Sequence, residues 1–192
     1  MYPVVRQLLY GQLALFIGLF LCLLLIPHFL FETNEGGISN YGTIAKTIVP
    51  FTLAFGFCGF CTIVAAASLP RTISRYKTLH GALLVLGVCY FLVLSSTYPY
   101  KLNRFFDALH VYAGLALIIW EMAFGSWLVW VLPRNRVLIA LFAAQWVGFL
   151  LAVLTYIGLL HTLFVAQCLM SVAFGLLLVR SVREYLDNQQ AA

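Results

Sequence analysis

Six apolar runs decide what this chain folds into: Leu8–Phe31, Thr47–Leu69, Leu79–Tyr98, Asp107–Leu132, Val137–Leu159 and His161–Val182. A run of about 20 apolar residues, wound as an α-helix, spans the hydrocarbon core of a bilayer. Inside that core no water can pair with backbone N–H and C=O groups, so each run must satisfy them within its own helix. The expected fold is therefore all-α: a polytopic membrane protein with six transmembrane helices in a single domain over residues 1–192.

Composition closes the alternatives. Of the 192 residues 64% are hydrophobic and 9% charged, against about 25% charged in ordinary soluble domains. Mean hydropathy is +1.01. Six crossings leave only short links, with no room for a soluble catalytic domain, so any chemistry sits in the bundle or at its ends. The first run is too long for the apolar core of a signal peptide and lacks a small-residue cleavage site, so it is expected to remain as a helix. The net charge of +5 points to nucleic acid only where basic residues cluster on a wetted face. Here they are scattered through short links, and nucleic acid is excluded as a partner. Cys22, Cys58, Cys61, Cys89 and Cys168 all fall inside apolar runs, which argues against a disulfide framework. The Cys58–Gly59–Phe60–Cys61 spacing matches a thiol relay, but it lies in mid-helix with no charge nearby to stabilise a thiolate; packing accounts for it better.

Basic residues orient the bundle, because loops rich in Lys and Arg stay in the cytoplasm. Arg6, Arg71, Arg75, Lys77, Arg134, Arg136, Arg180 and Arg183 all fall on one side. Lys46, Lys101 and Arg104 are left for the other. Both termini are thus expected in the cytoplasm, as an even number of crossings requires, with the cell membrane the expected location.

On that topology His28, Glu32, Glu35, Ser39, Asp107, His110 and His161 gather at the non-cytoplasmic face. They define an expected polar vestibule. Imidazoles with carboxylates suit zinc, but no two of these ligands have the i, i+4 spacing that prepares a site on one helix. A b-type haem needs two facing histidines, which His110 with His28 or His161 would supply. No metal or cofactor is the expectation, with haem or zinc the minor alternatives. Ser39 lacks the sequence context of a nucleophile and reads as a turn former.

Glu121 is the more constrained residue. It lies near the middle of the fourth run, where a carboxylate costs at least about 2.5 kcal/mol to insert. It must find donors or stay protonated, and Gln145 in the fifth run is its best match in depth. His110 and Glu121, eleven residues apart, share one helix face, with Asp107, Gly114 and Gly125 near the same stripe. Together with Gly56, Gly59 and Gly148, these glycines permit close helix approach.

The segment Gly37–Ile38–Ser39–Asn40–Tyr41–Gly42 and the Asp107–Ala108–Leu109–His110 start of the fourth run carry a resemblance. The layout resembles the six-helix superfamily of Frag, DRAM and Sfk type: the damage-regulated autophagy modulators, the lipid-remodelling factors of GPI anchors, and prokaryotic relatives of unknown function. Those families place an Ile–Ser pair in the first outer loop, usually followed by an acid, and a histidine at the head of a later helix. Asn40 stands here where the acid is expected. The resemblance implies lipid handling, trafficking or membrane regulation without established catalysis.

The functional expectation is a membrane protein whose vestibule binds lipid or a partner. The alternatives are an intramembrane enzyme or proton-coupled carrier using Glu121, and a structural subunit of a larger complex. Expected partners are membrane lipids, with other membrane subunits or a second copy as further candidates.

Overall fold

The computed structural model describes residues 1–27, 37–70, 76–100, 102–133 and 135–191. It contains six long helices: α1 (Pro3–Leu25), α2 (Ile48–Ala67), α3 (Lys77–Thr97), α4 (Arg104–Val131), α5 (Arg136–Tyr156) and α6 (Leu163–Ala191). A 3-10 helix, Ile38–Thr43, precedes α2. All six long helices are long and apolar enough to cross a membrane. Their apolar residues run right round each helix rather than along one stripe, as expected where the surroundings are as apolar as the interior.

The chain divides into two compact units. The first holds Met1–Leu25 and Asn40–Trp120, the second Ile26–Ser39 and Glu121–Ala192. In the first unit α2 packs between α1 and α3. Phe51, Cys58, Ala65, Leu79, Leu83 and Leu86 are fully or almost fully buried there. Pro50 stands in the first turn of α2, where its missing N–H deprives the helix of no bond. Within this unit the side chain of Gln12 reaches Cys58 Sγ at 3.6 Å and Tyr90 Oη at 3.5 Å, tying α1 to its neighbours through polar atoms.

In the second unit α5 and α6 form a hairpin. Gly158 closes α5 with a φ of +78°, a left-handed conformation that costs glycine little. The Thr155 and Thr162 hydroxyls meet at 3.2 Å and fasten the ends of the connection. Gly148 is the contact point of the two helices. A Cβ there would stand 2.8 Å from the Met170 nitrogen and 2.9 Å from the Ala166 carbonyl, so only glycine allows this backbone approach. Asn135 caps α5 by accepting the Val137 N–H at 2.9 Å, and its amide donates to Glu184 Oε1 at 2.8 Å.

The structure moves several boundaries expected from sequence. Helix α1 begins at Pro3 rather than Leu8, because a proline at the first helical position is favoured. Helix α5 ends at Tyr156 rather than Leu159 and α6 begins at Leu163 rather than His161, so the link between them is longer than expected. The last helix continues to Ala191 rather than stopping at Val182. Apolarity ends near Val179, but helical pairing does not. Arg180 meets Glu184 at 3.1 Å and Arg183 meets Asp187 at 3.9 Å, both at i, i+4 spacing. Val182, Tyr185 and Leu186 continue the buried stripe.

Candidate functional site

The first unit gathers polar side chains where α3 ends and α4 begins. His110 is 7% exposed. Its Nδ1 lies 3.3 Å from Ser96 Oγ and 3.5 Å from Thr97 Oγ1. Both hydroxyls donate to the Val93 carbonyl, at 2.9 and 2.7 Å. With both hydroxyl hydrogens so committed, their oxygens are acceptors and Nδ1 must carry the donated proton. The lone pair of the neutral imidazole then falls on Nε2. The Tyr100 ring lies against the imidazole with centroids 4.6 Å apart. Asp107, half-buried one turn earlier, occupies the first turn of α4, where the helix dipole favours a negative charge.

The turn Asn40–Tyr41–Gly42 belongs to the same unit. Tyr41 is wholly buried, and Thr47 donates its hydroxyl to the Tyr41 carbonyl at 2.7 Å. Gly42 packs against Thr97 and Phe51 so closely that no side chain fits. The Asn40 side-chain oxygen is buried and has no hydrogen-bond partner among the described residues. A shallow, open apolar groove lies along α3 over Val88, Phe91, Leu92, Leu94, Ser95 and Tyr98. At its end the Tyr98 and Thr52 hydroxyls meet at 2.8 Å.

The second unit holds the buried carboxyl. Glu121 is 3% exposed and Gln145 fully buried. The Gln145 amide nitrogen donates to the Glu121 backbone carbonyl at 3.1 Å, so the bond joins side chain to backbone. Gln145 Oε1 is buried without a hydrogen-bond partner among the described residues. It lies over Gly125, whose added Cβ would be 2.7 Å away. Elsewhere in this unit Gln167 Oε1 accepts the Ile38 N–H at 2.7 Å.

Of the residues singled out from sequence, Asp107 and His110 lie in the first unit. Glu121, Gln145, half-buried Ser39 and exposed His161 lie in the second. His28, Glu32 and Glu35 lie outside the described residues. Among the described residues no three His, Cys, Asp or Glu side chains gather as a metal-binding group. The five cysteines are free thiols. Gly125 and Gly148 make the close contacts expected of them, whereas Gly114 faces open space.

Sequence reasoning passed over Ser96, Thr97 and Tyr100. Their signal is the Ser95–Ser96–Thr97 triplet closing an otherwise apolar helix, a cluster of hydroxyls at the depth of the His110 imidazole.

Six long apolar helices in a chain so poor in charge fit an integral membrane protein. Comparison with protein-family models, with curated proteins and with solved structures finds no match to this chain.

Proposed function

We propose that this integral membrane protein binds lipid, or a lipid-like partner, at the polar end of its first unit. One observation carries the reading: the apolar groove of α3 ends at the Thr52–Tyr98 hydroxyl pair. An acyl chain suits the groove and a headgroup suits the hydroxyls. Adjoining residues of the same helix, Ser96 and Thr97, hold the buried His110. The resemblance to the Frag, DRAM and Sfk type agrees with a role in lipid handling. The positive-inside count assigns this polar end to the non-cytoplasmic side.

Native mass spectrometry of the protein released from lipid nanodiscs tests the reading. Tyr98→Phe combined with Leu92→Trp, which removes a hydroxyl and fills the groove, should reduce retained lipid several-fold. His110→Ala should reduce it as well. Equal retention in wild type and both variants would reject the assignment.

A proton-coupled carrier centred on Glu121 is the second reading. It is favoured by the burial of Glu121 and by the buried Gln145 Oε1, which has no hydrogen-bond partner among the described residues. Polar groups at such depth are costly to keep and are commonly functional. Glu121→Gln should then abolish proton dependence of uptake into vesicles while the protein still folds. Proton dependence that survives the substitution removes this reading.

A further inference from the structure

Helix α5 is the least covered of the six. In its apolar window 17% of residues are buried, against 28–50% in the other five. Its buried positions, Leu138, Gln145, Gly148 and Ala152, form one stripe facing its neighbours. On the opposite face stand Ile139, Ala143, Trp146, Val147 and Leu150, all exposed.

Trp146 is the anomaly on that face. It is the central residue of a 21-residue helix, about 15 Å from either end, and so in the middle of an apolar crossing. Tryptophan in membrane proteins favours the interfaces, where the indole N–H finds water or headgroups. Trp146 is 45% exposed. It is braced edge-on by Phe142 and Phe149, with centroids 6.1 and 5.6 Å away, and its N–H makes no hydrogen bond among the described residues. An unsatisfied N–H in hydrocarbon is costly, so whatever covers this face should offer an acceptor at mid-depth.

Phospholipid does not, since its ester carbonyls lie at the interface. A helix backbone does. Trp120 shows the arrangement in the first unit: its indole nitrogen donates to the Ala82 carbonyl of α3 at 3.0 Å, beside Gly81, where small residues leave the backbone open to approach. Helix α5 offers the same kind of surface at Ala140 and Ala143, within two turns of Trp146. Helical side chains lean toward the N-terminus, which aims Trp146 at the depth of Ala143.

We propose that the Trp146 face of α5 is the interface with a second copy of this chain. The indole of each copy donates to a backbone carbonyl in the Ala140–Ala143 turn of the other. A two-fold axis makes the contact reciprocal, and the exposed alanines let the two backbones come close.

Energy transfer between labelled full-length chains, diluted progressively into lipid vesicles, tests this. The wild type should associate reversibly. Trp146→Phe keeps the apolar area and removes the N–H, and should weaken association about threefold. Ala143→Leu, which separates the backbones, should weaken it about tenfold. Leu53→Ala on exposed α2 should change nothing. Thermal unfolding of each variant checks folding, and Trp146→Phe carries the test alone should Ala143→Leu misfold. A chain that stays monomeric at every dilution overturns the proposal. So does association that Trp146→Phe leaves intact. A monomer holding, at α5, a lipid that Ala143→Leu expels would also overturn it by naming another occupant.

Discussion

The two units bury their polar groups in different ways. At His110 side chain meets side chain: an imidazole nitrogen donates to two hydroxyls, each anchored to the Val93 carbonyl. At Gln145 a side-chain amide grips the backbone of α4 at Glu121, and its oxygen lies over Gly125. Hydroxyls and an imidazole at a helix end can exchange partners with a headgroup or with water at little cost. An amide clasping a backbone in mid-helix joins two helices. The first arrangement therefore suits binding and the second suits construction, even though the second contains the more expensive residue, Glu121.

Substitutions can break this contrast. The largest effect is expected at Gly125→Leu, because the new side chain would displace the Gln145 amide and press on Leu177. Overpacking of this kind costs about 3 kcal/mol, readable as a fall in the unfolding midpoint in detergent micelles. A variant as stable as wild type would show that Gln145 does not clamp α4.

The first unit should respond more mildly. His110→Phe loses the bonds to Ser96 and Thr97 and should cost about 1 kcal/mol or less, as interhelical hydrogen bonds in membranes usually do. His110→Asn places an amide N–H near the Nδ1 position and should recover most of that loss. If Asn restores nothing, Nδ1 is not the donor and the tautomer assigned to His110 is wrong.

Much of the fold was legible in sequence because the bilayer imposes one length and one backbone solution on every crossing. Six apolar runs gave six helices. Ends were less legible, since apolarity marks where hydrocarbon stops rather than where a helix stops. Arg180, Arg183, Glu184 and Asp187 continue α6 through charge pairing that an apolar count does not register. Glu121 and Gln145, paired by depth from sequence, meet through an amide nitrogen and a backbone carbonyl. Residue type alone cannot forecast that choice. The expected outer cluster was assembled from a shared depth; Asp107 and His110 belong to the first unit, Ser39 and His161 to the second. Ser96 and Thr97 were missed because hydroxyls inside apolar helices normally bond to their own backbone, as these two also do.

The length of α6 has a practical consequence. Its 29 residues measure about 43 Å, while the hydrocarbon slab is about 30 Å thick. The surplus makes the last two to three turns an outrigger, ribbed by the Arg180–Glu184 and Arg183–Asp187 pairs and pinned near its root by Asn135. A reporter fixed near Asn188 would ride at a set distance from the α4–α5 turn rather than swing on a tether. Spectroscopic distances taken from that point would thus measure the protein itself, with little blurring from the attachment.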